Sequence, residues 1–343
     1  MLLIFDRQNP GCGNNKVQIL KFFPDTSGID AIIAKGVAHL KKGELVAIPT
    51  ETVYGLAGDA TNGLAVARIF DVKLRPQFNP LIAHVSSLEM ALEYGEFDET
   101  SLQLARHFWP GSLTLVVERK PESTIHDLVS AGLDTIAIRC PGGMAGKLIA
   151  AFGKPLAAPS ANRSGKVSAT SADHVATEFA GENILILDGG ACSVGIESTI
   201  AKVGDGQITI LRSGSVTQRH LADFSGLPVA MAAHEAAIQA PGMMASHYAP
   251  RSKVQINCRH ALVDAAILTF GNQQVTGNVD GANVRNLSET ADLLEAASNL
   301  YKLMRELDDL GKDAICVAPI PMEGLGAAIN DRLTRAAAPR PEE

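Results

Sequence analysis

The sequence predicts an α/β protein in which helices pack on a mixed sheet, with a smaller β/α domain after it. Short apolar runs alternate with stretches of helical periodicity over residues 29–212, and two runs, 198–203 and 207–212, follow each other closely. This interleaving favours a mixed sheet over a strictly parallel doubly wound one. The 343 residues suffice for two domains, and 46% hydrophobic against 20% charged residues is typical of a globular protein.

The first helix is predicted at 29–42, because apolar residues recur at helical spacing from Ile29 to Leu40 and Gly43 ends the pattern. Buried or half-buried strands are predicted wherever a short apolar run lies between turn residues. The predicted strands are 44–49, 81–85, 112–118, 135–139, 155–159, 183–187, 198–203 and 207–212. The other helices of this region are predicted at 65–73, 87–94, 99–108, 143–152 and 171–180.

Changes in composition divide the chain into four segments. Residues 1–27 are rich in Asn, Gly and Pro and are expected to form an N-terminal extension, partly disordered. Residues 28–214 form the first domain, and 215–250 are expected to be a linker, since Ala, Met and Pro dominate 229–250 without an amphipathic repeat. In 251–343, the runs KVQIN, AAILTF and AICVAP and helices at about 288–309 and 323–336 predict a small Rossmann-like β/α domain.

The bulk composition excludes several classes of protein. A formal net charge of −7 argues against general binding of DNA or RNA through a positive field. The five cysteines are scattered, and neither a CxxC pair nor zinc spacing occurs, which is typical of reduced thiols in the cytoplasm without a metal cage. The opening MLLIF is too short for a signal peptide, and no apolar run reaches the length of a membrane span.

The stretch KLRPQFNPLIAH, at 73–84, places two cations one residue apart before two prolines. Pro76 disfavours the helical region for Arg75, so we expect an extended segment in which Lys73 and Arg75 project to one side. A guanidinium fork beside an ammonium suits a polyphosphate or a carboxylate. A solvated basic turn is the alternative.

Polar or cationic side chains follow several other predicted strands. The turn PTETVYGLAGDA at 49–60 and the Ser-rich loop APSANRSGKVSATSADHV at 158–175 offer hydroxyl and backbone N–H groups, although caps and turns would use the same residues. His84, Arg139 and Arg212 each end an apolar strand, where a core histidine or a surface cation is also common. The sequence contains none of three common ligand-binding or catalytic motifs, namely GxxxxGK[ST], GxGxxG after a strand and GxSxG. Taken together, the positions predict one concave site at a sheet edge.

The motifs KLRP, SAN, PTETVYGL, GIEST and HYAP, in their order, resemble the YrdC-like family, whose signature is Lys-x-Arg followed by Ser-x-Asn. The linker and second domain resemble the two-domain form of the threonylcarbamoyl-AMP synthase family, and the resemblance covers roughly 28–335. It implies a YrdC-like twisted sheet and a nucleotidyltransferase that joins L-threonine, bicarbonate and ATP, with Mg²⁺ accompanying the ATP. It further implies partner proteins that transfer the threonylcarbamoyl group to tRNA.

The resemblance also implies roles for individual residues. The residues it places at L-threonine are Thr52, His84, Arg139, Ser160 and Ser198. Those it places at ATP are Lys73, Arg75, Asn79, Thr135, Asn162, Thr170, Arg212 and Tyr248, and the signature residues Lys73, Arg75, Ser160 and Asn162 form its catalytic set.

Two other functions remain open at this stage. The basic concave site could hold RNA without catalysis, although the protein is acidic and only 5% aromatic. The second alternative is a carbamoyl transferase that uses a carbamoyl-adenylate, although the sequence has no zinc-finger cysteines. The sequence also departs from the family pattern, with Leu74 inside Lys-x-Arg and RSGS at 212–215 in place of Arg-Pro-Gly.

Overall fold

The computed structural model describes residues 4–7, 17–21, 28–233, 239–273, 275–277 and 280–339. Thirteen strands among these residues form one large sheet. They are β1 (Ile4–Arg7), β2 (Val17–Lys21), β3 (Val46–Ile48), β4 (Gly55–Asp59), β5 (Ile82–His84), β6 (Gly95–Glu96), β7 (Leu113–Arg119), β8 (Thr135–Arg139), β9 (Leu156–Ala157), β10 (Leu185–Asp188), β11 (Thr199–Gly204), β12 (Gln207–Arg212) and β13 (Val229–Met231).

The large sheet is mixed, as the sequence predicts. Its order is β1-β2-β10-β3-β4-β9-β5-β8-β7-β11-β12-β13, and β6 pairs with β7. Parallel pairs such as β5–β8 and β7–β11 alternate with antiparallel pairs such as β7–β8 and β11–β12. The helices packed with this sheet are α1 (Ile29–Lys41), α2 (Gly63–Lys73), α3 (Leu88–Leu92), α4 (Glu99–Phe108), α5 (Asp127–Ser130), α6 (Gly143–Phe152), α7 (Ala172–Glu178) and α8 (Gln218–Ser225). We call the sheet and these helices the large unit.

The small unit, residues 251–339 where described, has a four-stranded parallel sheet in the order β14-β17-β15-β16. Its elements are β14 (Lys253–Gln255), β15 (Ala265–Thr269), β16 (Val284–Asn286), α9 (Leu293–Asp308), β17 (Ala314–Val317) and α10 (Leu325–Ala337). A parallel sheet with crossover helices confirms the predicted Rossmann-like β/α character.

Local signals explain most helix boundaries. The side chain of Asn62 accepts hydrogen bonds from the N–H groups of Leu64 and Ala65 and begins α2, and Asp98 accepts from Ser101 N–H and begins α4. α4 and α6 have the bounds that periodicity predicts. Apolar positions of α1 and α6 pack on one face of the sheet, and a larger core lies on the other.

Several elements were not predicted. β4 lies in the stretch interpreted as a polar turn, because Gly-Leu-Ala-Gly-Asp carries no β-branched residue. The short β6, β13, β16, α5 and α8 were also missed. Two strands, β1 and β2, lie in the segment 1–27, and β2 pairs with β10 in the large sheet, so this segment contributes strands and is not an extension throughout.

In the described part of the chain, no helix combines the length and the apolar character that a membrane crossing needs. Cys140, Cys192, Cys258 and Cys316 are buried free thiols. Cys12 lies outside the described residues.

Candidate functional site

Several strand ends coincide at one edge of the large sheet. β5 and β8 are parallel, and their last residues, His84 and Arg139, lie side by side. Since β7 is antiparallel to β8 and parallel to β11, β11 begins at this same edge, with Ser198 directly before it. β12 is antiparallel to β11 and ends there with Arg212. The sheet order thus assembles polar residues that lie far apart in the sequence.

These side chains surround a buried cavity of about 40 Å³. Eight of the thirteen residues implied by the resemblance line it: Thr52, Arg75, His84, Arg139, Ser160, Ser198, Arg212 and Tyr248. The other lining residues are Val53, Ile82, Ala158, Pro159, Glu197, Pro241, Gly242 and His247.

Arg139 is held in place by three acceptors. Its Nε donates to the carbonyl of Gly111 (3.0 Å), Nη1 to Thr52 Oγ1 (2.9 Å) and Nη2 to Glu51 Oε1 (2.5 Å). Burial raises the pKa of Glu51, but the Arg139 charge together with hydrogen bonds from Arg139, Ser112 and the backbone outweighs burial, and the pKa is lowered overall. The guanidinium is therefore fixed in the geometry that binds a planar carboxylate.

Arg212 and Arg75 bring two more guanidinium groups to the cavity. Arg212 donates from Nε to the carbonyl of Ser198 and from Nη2 to Ser198 Oγ, both at 3.1 Å. Arg75 donates from Nε to the Asn79 carbonyl (3.2 Å) and from Nη2 to the Pro80 carbonyl (2.8 Å). Burial lowers the pKa of Arg75 to about 10, so the group stays charged at neutral pH. Three buried cations around one small cavity favour an anionic ligand.

His84 is neutral in the folded protein. Burial, with a smaller effect of Arg139, lowers the pKa of His84 to about 3. Its Nδ1 lies 3.1 Å from the Ile82 carbonyl, which can only accept, so Nδ1 carries the proton. The Nε2 atom is left with a lone pair and can accept a hydrogen bond from a ligand.

The interpretation of KLRP as one extended segment was wrong. Lys73 is the last residue of α2, and Leu74 adopts a left-handed conformation (φ 52°, ψ 43°). The Lys73 ammonium is buried and donates to the carbonyls of Ser160, at 2.6 Å, and Asn162. Lys73 does not line the cavity, and Arg75 does. The two cations therefore do not project together, and Lys73 fixes the Ser-x-Asn loop in this structure.

Asn79 and Asn162 are fully buried and do not line the cavity. Asn162 Nδ2 donates to the carbonyls of Arg163 and Lys166, and Asn79 Nδ2 donates to the Met244 sulfur at 3.3 Å. Both side-chain oxygens lack a partner within the described ranges. A buried acceptor without a donor costs about 1–3 kcal/mol.

Thr135 and Thr170 lie apart from the cavity. Thr135 begins β8 while Arg139 ends it, which separates them by about 13 Å along the strand. It shares the face of Ala137, which Ala240 of the linker covers. Thr170 bonds to His174 and lines a separate cleft of about 720 Å³ between the two units.

The linker fills the mouth of the site. Pro241, Gly242, His247 and Tyr248 all line the cavity, and the Pro241 carbonyl accepts from Arg212 Nη1 at 3.4 Å. Gly242 has φ +84°, and a Cβ atom there would lie 2.8 Å from Arg212 Cδ. Only glycine permits this close approach at this backbone conformation.

Sequence reasoning missed Glu197 and His247, although the motifs GIEST and HYAP contain them. Both are buried and line the cavity. Burial lowers the pKa of His247 to about 3, and its Nδ1 lacks a partner among the residues described. Their position directly before Ser198 and Tyr248 was the sequence feature that could have identified them as site residues.

Comparisons with known proteins agree with this arrangement. The Sua5_yciO_yrdC family model, described as "Telomere recombination", matches residues 38–214. The model described as "Threonylcarbamoyl-AMP synthase, C-terminal domain" matches residues 215–338. The threonylcarbamoyl-AMP synthase of Pyrococcus abyssi is 37% identical over 87% of this chain and 91% of its own length. The threonylcarbamoyl-AMP synthase of Bacillus subtilis is 36% identical over 91% of this chain and 94% of its own length.

A solved structure matches over nearly the whole chain. The crystal structure of P. abyssi Sua5 complexed with L-threonine superposes with a TM-score of 0.83 at 34% identity, over 93% of this chain and 97% of that one. Sequence, domain order and fold thus agree along the length of the protein, and the chain belongs to the two-domain threonylcarbamoyl-AMP synthase family.

Proposed function

We propose that the protein condenses L-threonine, bicarbonate and ATP into threonylcarbamoyl-AMP and pyrophosphate. The threonine amine attacks bicarbonate, and loss of water gives a carbamate. A carbamate oxygen then attacks the α-phosphorus of ATP, and pyrophosphate leaves with the electron pair of the broken P–O bond. The site performs this reaction chiefly by positioning and by offsetting charge.

The observation that carries the proposal is the group Arg139, Thr52 and His84 in one buried cavity. The fixed fork of Arg139 suits the carboxylate of an amino acid, and Glu51, which occupies one arm of the fork, marks a carboxylate position. Neutral His84 offers Nε2 as an acceptor for an amine or hydroxyl hydrogen. Ser160 and Ser198 supply hydroxyl groups beside this pocket.

The nucleotide lies next to the threonine in this proposal, at Arg75 and Arg212. These guanidinium groups offset the phosphate charge, and the unpartnered oxygens of Asn79 and Asn162 accept hydrogen bonds from the nucleotide. Lys73 supports the loop that carries Ser160 and Asn162. Thr135 and Thr170 reach the nucleotide only after the linker has moved.

The linker acts as a lid on this site. A cavity of about 40 Å³ is far smaller than the roughly 300 Å³ or more of ordinary ligand pockets. ATP therefore enters after the segment 241–248 has moved away, and Tyr248 then closes over it. A chain truncated before Ala230 should bind ATP more weakly, and unchanged ATP affinity would count against the lid.

Other parts of the proposal rest on the chemistry of the substrates. Mg²⁺ would accompany the ATP and offset the charge of its phosphate groups. The product passes to partner proteins that transfer the threonylcarbamoyl group to tRNA, in the cytoplasm. We further propose that residues 28–214 form the catalytic domain, 215–250 the linker and 251–343 the C-terminal domain.

The test is release of pyrophosphate from ATP by the purified protein. The proposal predicts release that requires both L-threonine and bicarbonate, and a nucleotide product with the mass of threonylcarbamoyl-AMP. Release without threonine, or saturable tRNA binding without release, would refute the proposal.

A further inference from the structure

A buried carboxylate connects the site with the small unit. Glu197 Oε1 accepts from Ser168 Oγ (2.5 Å), and Oε2 accepts from the Tyr301 hydroxyl (2.8 Å) and from Arg332 Nε (2.9 Å). Burial raises the pKa of Glu197, but Arg332 and then Arg212 lower it to about 2. Glu197 is therefore ionised, and its partners on one side belong to α9 and α10.

The same two helices hold the tyrosine of the linker. The Arg332 guanidinium lies 5.2 Å from the centre of the Tyr248 ring, and the Tyr248 and Tyr301 rings stack at 5.8 Å. All three side chains are almost fully buried. A cation over a tyrosine face and an offset ring pair are both attractive.

One turn further along α10, Arg335 holds the preceding part of the linker. Its Nη1 donates to the carbonyl of Met244, and its own carbonyl accepts from the N–H of His247 at 3.2 Å. The small unit thus contacts the linker at Met244, His247 and Tyr248, and the last two of these line the cavity.

We propose that Arg332 and Tyr301 are positioning residues for the adenylate-forming reaction: they pair with Glu197 and pack on Tyr248, and so set the position of the linker over the site. This inference rests on the proposed function. It also assigns a task to the small unit, which contributes none of the residues that line the cavity.

Charge explains why the pairing matters for ATP. Glu197 lines the same cavity as Arg75 and Arg212. An unpaired carboxylate there would repel the incoming polyphosphate, and Arg332 offsets it. Removing one partner of a buried ion pair leaves an uncompensated charge, which costs far more than the intact pair contributes.

Tyr301 packs in the apolar cluster around α9 and α10, which also contains Tyr248 of the linker and Val53 and Ile196 of the large unit. Most members of this cluster belong to the small unit, such as Leu300 and Ile329. Because Tyr301→Phe keeps the ring in this cluster and Arg332→Met keeps an unbranched apolar side chain there, we expect both variants to fold and their effects to fall on the linker and on ATP.

The experiment compares Arg332→Met, Arg332→Lys and Tyr301→Phe with Lys312→Met. Lys312 forms an ion pair with Asp264 at 2.7 Å within the small unit and is the matched control. Two quantities are measured: hydrogen exchange at the amides of His247 and Ala249 without ligand, and the KM for ATP in adenylate formation.

For Arg332→Met we expect the KM for ATP to rise by about tenfold or more, with faster exchange at both linker amides. Arg332→Lys should recover part of the loss, because it restores the charge. Tyr301→Phe should show the same change to a smaller extent, since it keeps the ring stack and loses only the hydroxyl. Lys312→Met should leave the KM and the exchange unchanged.

Wild-type exchange and KM in both Arg332→Met and Tyr301→Phe would overturn the inference. If Arg332→Met does not fold, Tyr301→Phe decides alone, because its change is a single hydroxyl group. If the wild-type protein forms no threonylcarbamoyl-AMP, the proposed function fails, and the exchange measurement still tests the contact between the small unit and the linker.

Discussion

Replacement of Gly242 by alanine should open the linker in the ligand-free protein. Gly242 has φ +84°, a region that costs an L-residue about 1–2 kcal/mol. An added Cβ would lie 2.8 Å from Arg212 Cδ and 3.0 Å from the Tyr248 hydroxyl. Arg212 cannot move easily, because Ser198 accepts two of its hydrogen bonds.

The magnitude follows from these two costs. Overpacking a filled site costs about 1–3 kcal/mol, in addition to the backbone cost. Gly226→Ala is the matched control, because Gly226 has φ +69° but has no atom within 4 Å of an added Cβ. The two costs together should destabilise the closed linker by about 2–5 kcal/mol, a factor of roughly 30 to 5,000 in the opening equilibrium.

The assay is native-state hydrogen exchange at the amides of His247 and Ala249, which donate to the carbonyls of Arg335 and Gly165. Gly242→Ala should accelerate their exchange by the factor above and leave the amides of β7 and β8 unchanged. Gly226→Ala should leave the linker amides unchanged. Equal protection in Gly242→Ala and the wild type would refute the close packing of the linker on Arg212.

Three further changes test the site itself. Arg75→Ala should abolish adenylate formation while circular dichroism shows an intact fold; loss of the fold would instead assign Arg75 a structural role. Arg139→Lys should raise the KM for L-threonine by about tenfold or more at nearly constant KM for ATP, because lysine has no bidentate fork; an unchanged KM for threonine would remove Arg139 from the carboxylate pocket. Burial lowers the pKa of His84 and of His247 to about 3, against roughly 6.5 when unfolded, so the folded state loses stability as pH falls through this window. In urea unfolding, the free energy of unfolding should fall by about 2 kcal/mol for each histidine between pH 7 and pH 5, and His84→Gln should make this fall smaller. An unaltered fall in that variant would contradict a buried, neutral His84.

The sequence predicts those parts of the fold that local patterns determine. Helices such as α4 and α6 show clear periodicity and caps, and strands such as β8 and β12 are apolar runs between turns. β4 was missed because its strand character comes from burial between β3 and β9, which no local pattern of Gly and Ala reveals.

The site residues likewise divide into those that local sequence patterns identify and those that only the tertiary structure reveals. Residues that end strands, such as His84, Arg139 and Arg212, were identifiable because side chains at strand ends meet at one sheet edge. The environment of Lys73 was not identifiable from the sequence, because the carbonyls that accept its hydrogen bonds belong to residues 87 and 89 positions further along the chain. The pairing of Glu197 with Arg332 spans 135 residues and two units, and it depends entirely on how the units pack.

The most direct test of the proposed reaction uses isotopically labelled bicarbonate with ATP and L-threonine, followed by mass analysis of the nucleotides. We expect a threonylcarbamoyl-AMP that carries the label, in amounts equal to the pyrophosphate released. An unlabelled adenylate of threonine, formed through its own carboxylate, would contradict it, as would the absence of any new nucleotide.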